Sequence, residues 1–594
     1  MERQPDLAVP AGRSLISRAS LPCPTRCSLA GLFALLTGVV WSHAFAGVLR
    51  VPLGVSPETL ADCAVGLTLA GFAAGVAGVL AGVLAGPRCA TLGASLAASL
   101  VVAALGSLAL LFANPALGGC AFAPLPAAAL AVLVGQVLEQ RLPSSIDRLL
   151  EKRALLRLVW WAFAALALTQ AGRLATWVSD PSADWFVSTR HPFFEQHECA
   201  NAYVYGAELA LRGEPNVYDA QHYPGIHPPA EPTTHIAGLA PEDPFQYPPQ
   251  FLLAPALALS VLPDYDALQA LWFGINVSLC LGAALVLACW VAGPCGSQAA
   301  LLLPVVCASF PVLYNFQYGQ FHFAAVALAV LGWVAAHRKR PALAGVLLSC
   351  AILSKLFPAV LLIPLVASRR WRTLAWTGAA TASATVATAA TLGLAPLRAF
   401  CGHHVERLVD GRAFAFDEAW PDFAGLLIAG NQGVRGIVEK LEAMGLTSAD
   451  ATAADWVVRL CGVALLAFGV AVGRRNKRAN RAVHALECLG LLGLGSMMSA
   501  GAWADYVPLT CVLLLTYLLP LSAERPIVRG WIAVSAPFHL FLLGAVPLGS
   551  AAEPSWMLPL SLFSALAMLV TFGMAVSFAH PYGSSVLIRS GRPL

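Results

Sequence analysis

Apolar segments long enough to cross a membrane recur along most of the chain, and they constrain its fold more than any other feature. A helix needs about 20 residues to cross the apolar part of a bilayer, and its backbone groups must be hydrogen-bonded within the segment. The sequence therefore predicts an all-α polytopic membrane protein with roughly 14 to 16 crossings. The predicted segments are 28–48, 62–87, 90–112, 117–137, 155–178, 268–292, 298–314, 321–337, 372–395, 456–473, 484–499, 504–521, 530–550 and 556–579.

The composition supports the same class. Hydrophobic residues make up 58% of the chain, charged residues make up 11%, and the mean hydropathy is +0.71. A water-soluble chain has about a quarter of its residues charged. The formal net charge of +4 is small for 594 residues, so it gives no indication of nucleic-acid binding.

The basic residues of the short loops predict the orientation. They cluster within 141–157, 338–340, 369–372, 474–478 and 525–529. Because lysine and arginine collect on the cytoplasmic side of membrane proteins, we expect these loops inside and two long loops, 179–246 and 396–455, outside. This topology requires that the short apolar stretch 250–262 does not cross fully.

Two regions depart from simple crossings. A hairpin at 341–368 is interrupted by Ser354, Lys355 and Pro358, and we expect it to enter the membrane and return to the same side. The first 150 residues form about four helices rich in alanine, glycine and leucine, without conspicuous chemistry. We therefore predict an accessory module at 1–150 and a main membrane domain at 151–594.

The first outer loop carries an unusual amount of polar chemistry. Residues 179–246 contain ten Asp or Glu residues, two arginines and five histidines. The histidines lack the tight spacing of a metal site, so no metal is predicted. Residues 201–211 are predicted to form a short amphipathic helix, ended by Gly213, that lies on the membrane surface with Ala202 and Tyr205 on its apolar face.

Several motifs follow one another in a fixed order. The tyrosine-rich stretch 197–219 is followed by "FQYPPQFLLAPALALSVLP" (245–263), "YNFQYGQFHF" (314–323), "LSKLFPAVLLIPL" (353–365) and "NQGVRG" (431–436). Taken in this order, they resemble the motifs of glycosyltransferase family 87. Together they extend over about 155 to 520. The family uses sugars carried on polyprenyl phosphate as donors. The resemblance also implies a GT-C type helical bundle, and it implies no cofactor.

The chain also departs from the family pattern. Gly433 occupies a position where serine is usual, and Asp505 stands where the motif S-P-x-S-W-x-H has its histidine. The acidic residue that usually precedes the tyrosine stretch is an aspartate, and the nearest match is Glu198. These departures all concern the expected active site.

Transfer of a sugar from a lipid phosphate needs a carboxylate to accept the proton of the attacking hydroxyl, and a cation to stabilise the departing phosphate. Glu198 is the first candidate for the base and Asp184 the alternative. Lys355 is a candidate for the phosphate-binding cation, because an ionisable group in an apolar segment is costly and therefore suggests a function. Arg435 is the alternative, because a guanidinium can bind two phosphate oxygens with two parallel hydrogen bonds. The other expected substrate-binding residues are Tyr203, Tyr205, Tyr247, Gln320, His322, Asn431, Gln432, Trp503 and Asp505.

The resemblance implies an inverting glycosyltransferase in a bacterial plasma membrane, with its active site outside. We expect it to move a hexose, mannose by resemblance, from a polyprenyl-phosphate carrier to a glycolipid or cell-envelope glycan. One alternative is a transporter or flippase of lipid-linked sugars, which would favour internal repeats and charges inside spanning helices. The other is a catalytically inactive relative.

Overall fold

The computed structural model describes residues 24–85, 90–142, 146, 154–179, 199–223, 234–236, 239, 243–414, 428–447, 451–474, 480–503, 507–523, 525–541 and 557–578. These residues are mostly helical, and the extended pairing among them is one isolated bridge between Asn431 and Trp503. The predicted all-α polytopic class is confirmed.

The α-helices of the described residues are numbered here in chain order. The first half contains α1 (Pro24–Leu53), α2 (Pro57–Asp62), α3 (Ala64–Ala85), α4 (Ala90–Ala113), α5 (Pro124–Arg141), α6 (Ala154–Ser179), α7 (Cys199–Leu211), α8 (Leu253–Val261), α9 (Tyr265–Val291), α10 (Gly293–Cys307), α11 (Phe310–Gln317) and α12 (His322–His337). The second half contains α13 (Pro341–Ser354), α14 (Leu362–Ala367), α15 (Trp371–Leu392), α16 (Ala395–Ala399), α17 (Val405–Asp410), α18 (Val434–Ala443), α19 (Ala451–Arg474), α20 (Arg481–Met497), α21 (Val507–Leu521), α22 (Pro526–Phe541) and α23 (Met557–Phe578).

The described part of the chain has eight helices that are long and apolar enough to cross a membrane. A bent pair of helices raises the number to nine if it forms one span. Five further apolar helices are shorter, with 10–17 residues, and the 14 to 16 crossings predicted from the sequence include such segments. Helix α8 has nine residues, which is too short to cross and agrees with the topology expected for 250–262.

The bent pair corrects the prediction of one straight crossing at 298–314. Helix α10 ends at Cys307, and α11 starts at Phe310 after a bend of 59°. Ser309 between them is in an extended conformation, and Pro311 lies in the first turn of α11, where its missing N–H costs little. The pair is therefore a broken helix rather than a continuous one.

Two of the basic clusters, 338–340 and 369–372, lie near the same end of the bundle. Arg370 donates a hydrogen bond to the backbone oxygen of Ala336, near the end of α12. The rings of His337 and His484 are 4.5 Å apart, and Arg481 donates to the backbone oxygen of Trp290 at 3.0 Å. The segments 338–340 and 369–372 therefore lie beside the start of α20, which directly follows the cluster at 474–478.

The hairpin at 341–368 returns to the end from which it starts. Helix α13 runs 14 residues to Ser354, which is about 21 Å at the usual helical rise. Lys355 is extended, and the chain then turns through a 3-10 helix at Phe357–Leu361 into α14. Since Arg370 contacts the end of α12, both ends of the hairpin are adjacent and Lys355 lies at its tip.

The N-terminal helices pack closely against the rest of the chain. Residues of α1 share one buried core with residues of α6 and α9. Arg50, near the end of α1, pairs with Asp264 and also with Asp266, the latter at 3.0 Å. Asp264 in addition accepts a hydrogen bond from the backbone N–H of Ala267 at 2.9 Å, which caps the start of α9. Helix α1 is thus joined to the main domain by the ion pairs of a buried arginine with two partly buried carboxylates, while the division at residue 150 stays a prediction.

Candidate active site

Helix α7 forms the centre of the candidate site, and it is buried on all sides from Cys199 to Ala210. The predicted helix is confirmed, but the prediction that one polar face is exposed is wrong. The backbone N–H of Ala200 donates to the oxygen of Tyr318 at 3.1 Å, so α7 begins directly against the turn that joins α11 to α12. The helix lies inside the protein because this turn and the segment around Phe245 pack against it.

Three predicted site residues meet in one hydrogen-bonded cluster, Tyr203, Tyr247 and Gln320. The Tyr203 hydroxyl donates to Gln320 Oε1 at 2.7 Å, and the Tyr247 hydroxyl lies 3.4 Å from the same atom. The two tyrosine oxygens are 3.3 Å apart. The Gln320 amide nitrogen contacts the Cys199 sulfur at 3.1 Å. Gln320 therefore joins the start of α7 to the Y-P-P segment.

The two tyrosines of this cluster remain protonated. Burial is the main cause that raises the pKa of Tyr203 well above its ordinary value, and burial likewise raises the pKa of Tyr247. Their rings are packed edge to face with centroids 5.0 Å apart. Neutral phenols of this kind can donate hydrogen bonds at physiological pH but cannot serve as a general base.

Lys355 faces this cluster from the tip of the hairpin. Its Nζ lies 5.2 Å from the centre of the Tyr247 ring, which is a cation–π distance. Two residues later, the Phe357 ring stacks on His322 with centroids 4.5 Å apart. The predicted residues Lys355, His322 and Tyr247 are therefore close to each other, and Tyr247 and Lys355 are only half-buried whereas His322 is buried.

Other polar residues of the first outer loop have different surroundings. Tyr205 is buried and packs edge-on against Tyr223, away from Gln320. Glu208 pairs with Arg212 and accepts a hydrogen bond from the backbone N–H of His235 at 2.8 Å. These contacts give Tyr205 and Glu208 a structural role in fixing the loop to α7.

Asp243 is a buried carboxylate that the sequence did not distinguish from the other acidic residues of the loop. It is 5% exposed, and its charge is one of the causes that raise the pKa of Tyr247. Its position four residues before the Y-P-P segment is the signal in the sequence that would have pointed to it.

In the second predicted cluster, the side chains of Asn431 and Gln432 are held in place by hydrogen bonds. Asn431 Nδ2 donates to the backbone oxygen of Ala500 at 2.9 Å, and Asn431 Oδ1 accepts from the backbone N–H of Gly433 at 3.0 Å. Gln432 is fully buried, and its amide nitrogen donates to Ser561 Oγ at 2.9 Å. Both side chains therefore tie the N-Q segment to neighbouring elements.

The departure at Gly433 has a structural reason. A Cβ atom at this position would lie 2.9 Å from Ala502 Cβ and 3.0 Å from the backbone oxygen of Ser499. Real Cβ atoms do not approach backbone so closely without a shift. Glycine at 433 thus permits the close approach of the segment 499–503, which directly precedes the region of the other departure, Asp505.

Arg435 is paired within its own helix. Its Nε donates to Glu439 at 3.2 Å, and its guanidinium packs against Gly411, where a Cβ atom would approach Nη1 to 2.3 Å. Gln246 donates to the backbone oxygen of Ala413, so the segment 411–414 connects this second cluster to the first. The two clusters therefore belong to one side of the molecule.

Three predicted site residues, Glu198, Asp184 and Asp505, lie outside the described residues. Glu198 directly precedes Cys199, whose sulfur contacts Gln320. Trp503 is described, and its bridge to Asn431 places it in the second cluster. Within the described ranges, no group of three or more His, Cys, Asp or Glu side chains is arranged to bind a metal ion.

Comparison with known families indicates an enzyme class for the chain. Residues 245–500 match the model of Glycosyltransferase family 87. This match supports a glycosyltransferase of family 87. The matched region includes Tyr247, Gln320, Lys355 and the Asn431 segment, while α7 and Asp243 precede it. No match was found among curated proteins or among solved structures.

Proposed function

We propose that this family 87 glycosyltransferase is an inverting enzyme that takes a hexose, mannose by resemblance, from a polyprenyl-phosphate carrier. The acceptor is a glycolipid or a cell-envelope glycan, and the GT-C type bundle lies in a bacterial plasma membrane. The observation that carries the proposal is the position of Lys355, which faces Tyr247 from the tip of a returning hairpin. A prenyl chain can stay in the bilayer while its phosphate reaches such a tip.

Lys355 is the proposed phosphate cation. Its ammonium lies over the ring of the protonated Tyr247, whose hydroxyl contacts that of the protonated Tyr203. Arg435, the rival, is partly neutralised by Glu439 at 3.2 Å. As the glycosidic C–O bond breaks, negative charge grows on the leaving phosphate, and a nearby lysine stabilises that charge.

Glu198 is the proposed base. The acceptor hydroxyl attacks the anomeric carbon, its proton passes to the carboxylate, and the bond to the phosphate oxygen breaks, so polyprenyl phosphate leaves with both electrons of that bond. A single displacement inverts the anomeric configuration. The support for Glu198 is its place in the chain, one residue before Cys199, which contacts the Tyr203–Gln320–Tyr247 cluster. Asp184 and Asp243 are the alternative bases.

Gln320 and Tyr203 are proposed to position the site rather than to bind the sugar, because their polar atoms contact each other and Cys199. Tyr247 is the proposed aromatic contact for the sugar, since its ring is only half-buried. Asn431 and Gln432 are proposed to support Trp503, which remains a candidate for the acceptor side.

The outward orientation is also part of the proposal. Lys355 lies about 21 Å along α13 from the basic segment 338–340. If the basic loops are cytoplasmic, as is usual, the cluster around Lys355 faces outside.

The test is transfer of labelled mannose from a short-chain polyprenyl-phosphate mannose to a total lipid extract by the purified protein. Glu198→Gln, Asp184→Asn and Asp243→Asn are compared with wild type, and binding of the sugar donor is measured for each. We expect Glu198→Gln to lose at least 100-fold in rate while binding is retained, in line with the usual size of general-base catalysis.

The controls separate the parts of the proposal. A loss confined to Asp243→Asn or Asp184→Asn would move the base to that residue. Retained donor binding without transfer in the wild type, with every sugar and acceptor tried, would indicate an inactive relative. Movement of the intact lipid-linked sugar across vesicles would indicate a flippase.

A further inference from the structure

Two helix-ending turns lie side by side at the base of the hairpin that carries Lys355. The turn at 338–340 joins α12 to α13, and the turn at 368–370 joins α14 to α15. Arg370 donates a hydrogen bond to the backbone oxygen of Ala336, so the two turns are in contact. These two segments, the basic turns, form one surface at this end of the bundle.

Each basic turn ends its helix with the same pair of backbone hydrogen bonds. In the first turn, the N–H of Lys339 donates to the oxygen of Ala336 at 3.2 Å, and the N–H of Arg340 donates to the oxygen of Ala335 at 3.0 Å. The second turn repeats both bonds with Arg369 in the place of Lys339. Both residues have a φ of +57°, a left-handed conformation that strains any side chain and is usually taken by glycine.

Elsewhere the chain uses glycine at this position. The same pair of bonds ends four other described helices or helical turns, and the left-handed residues there are Gly54, Gly213, Gly319 and Gly445, with φ between +58° and +80°. A lysine and an arginine thus take the place of the favoured residue in the two basic turns. Strained residues cluster at ligand-binding and other functional sites, so these two side chains are expected to bind a partner.

The partner is not part of the described chain. Neither Lys339 nor Arg369 forms a side-chain hydrogen bond or an ion pair with another described residue, and both are exposed. The sequence has no Asp or Glu from 331 to 400, so the positive charge of this surface has no neighbouring carboxylate along the chain. The exposed cations of the surface are Arg338, Lys339, Arg340, Arg369 and Arg372.

The apolar side chains next to these cations indicate a membrane surface. Leu343, which follows Arg340 on α13, is 47% exposed, and Val366, which precedes Arg369 on α14, is 48% exposed. Trp371 is 60% exposed, and tryptophan is enriched at the level of the lipid headgroups. The basic turns therefore lie where the lipid-facing apolar surface ends, which is the level of the headgroups.

We propose that the basic turns bind the headgroups of anionic phospholipids in the surrounding leaflet, and that Lys339 and Arg369 are kept in strained positions for this contact. Cations that only orient a membrane protein need no particular backbone conformation, and the three other exposed arginines of the surface would satisfy that need. Binding at the basic turns holds both ends of the hairpin whose tip carries Lys355. The binding does not depend on the proposed glycosyl transfer.

Titration of the delipidated full-length protein with phosphatidylglycerol and with phosphatidylcholine, in a neutral detergent, tests the proposal. Binding is measured from the rise in the midpoint of thermal unfolding. In wild type we expect tighter binding of phosphatidylglycerol, and this preference should disappear at high salt because the charges are exposed.

The decisive variant carries both Lys339→Gly and Arg369→Gly. It should bind phosphatidylglycerol about 30-fold more weakly than wild type, since each cation near an anionic surface contributes about fivefold. Without lipid its midpoint of thermal unfolding should be higher than that of wild type, because glycine relieves both strained positions. The two substitutions therefore affect stability and lipid affinity in opposite directions.

Two controls separate the backbone strain from the charge. Ala292 has a φ of +56° and no charge, so Ala292→Gly should raise the midpoint without lipid and leave the affinity for phosphatidylglycerol unchanged. Arg398 and Arg459 are exposed cations outside the basic turns, so Arg398→Gln combined with Arg459→Gln should also leave this affinity unchanged.

An unchanged affinity in the double glycine variant, or an equal loss in the variant of Arg398 and Arg459, would overturn the proposal. A lower midpoint of the double glycine variant without lipid would also overturn it, because the two side chains would then be stabilised within the protein itself. Displacement of phosphatidylglycerol by soluble polyglutamate at equal charge concentration would contradict it in favour of an acidic protein partner.

Discussion

At the scale of single residues, the candidate site is organised by hydrogen bonds of neutral groups around one cation. Tyr203 and Tyr247 share Gln320 Oε1, and Lys355 lies over the Tyr247 ring. Because burial raises the pKa of both tyrosines, they act as hydrogen-bond donors over the whole physiological range. We therefore propose a carboxylate, and not one of these tyrosines, as the proton acceptor.

Tyr203→Phe tests the cohesion of this cluster. The Tyr203 hydroxyl donates to Gln320 and accepts from the backbone N–H of Phe321 at 3.1 Å, so its removal leaves a buried donor unsatisfied. We expect a loss of about 1–3 kcal/mol in stability. Thermal unfolding in detergent measures it, and Tyr205→Phe, which changes a tyrosine packed against Tyr223 on the same helix, should have a smaller effect. Equal losses would contradict the special role of Tyr203.

Lys440 donates hydrogen bonds to the backbone oxygens of Asn431 and Gly436, and it gives the stability of the second cluster a pH dependence. Burial lowers the pKa of Lys440 to about 7 from its ordinary 10.5, while Glu439 acts in the opposite direction. Between these two values the unfolded chain binds the additional proton, so the stability should rise as the pH increases through this window and should be level below it. Lys440→Met should remove this rise. Unfolding of both proteins at pH 6, 8 and 9.5 measures the difference, and parallel curves would contradict the assignment.

The sequence predicted the members of the first cluster more directly than the contacts of the second. Tyr203, Tyr247, Gln320 and Lys355 were expected from their motifs, and the structure brings them together. Asn431 and Gln432 were expected to bind substrate, yet their side chains bond to Ala500 and Ser561. These partners are about 70 and 130 residues away, and no local pattern reveals such contacts.

At the scale of elements, the site depends on tight turns that connect short helices. Gly319 has a φ of +58°, and a Cβ atom there would approach Ala200 Cβ to 2.7 Å. The turn between α11 and α12 therefore sets the position of α7. The sequence predicted α7 as a helix, but its burial on every side could not be predicted, because it results from this distant turn and from Phe245.

Gly319→Ala should lower the stability by more than its backbone strain alone accounts for, because the added methyl group also contacts Ala200 of α7. Gly293 has the same φ of +58° and has nothing within 4 Å of its Cβ position, so Gly293→Ala measures the conformational cost alone. That cost is about 1–2 kcal/mol for a left-handed residue. We expect Gly319→Ala to lose more stability than Gly293→Ala, and also to lower the transfer rate. Similar results for the two variants would show that the contact with Ala200 is unimportant.

At the scale of the whole molecule, the N-terminal helices are part of the bundle. Arg50 of α1 is buried and pairs with both carboxylates at the start of α9. The sequence indicated the four spanning helices but gave no sign of this ion pair, because its members are more than 200 residues apart.

Arg50→Gln should therefore destabilise the whole chain. Loss of one partner from a buried ion pair costs about 3–5 kcal/mol, since the remaining charges stay uncompensated. Arg412 and Glu406 form an exposed pair at 3.0 Å, and Arg412→Gln should cost less than about 1 kcal/mol. Thermal unfolding of both variants measures the difference. Equal midpoints of thermal unfolding for Arg50→Gln and Arg412→Gln would mean that the N-terminal helices are not joined to the main domain through Arg50.

The position of the phosphate site is the central claim, and binding of polyprenyl phosphate without a sugar tests it most directly. Purified wild type, Lys355→Gln and Arg435→Gln are titrated with short-chain polyprenyl phosphate, and the dissociation constants are compared. We predict that Lys355→Gln weakens binding at least tenfold, since a charge-assisted contact is lost, and that Arg435→Gln stays within about twofold of wild type. The opposite order would place the phosphate on the Arg435 side and contradict the site described around Tyr247 and Lys355.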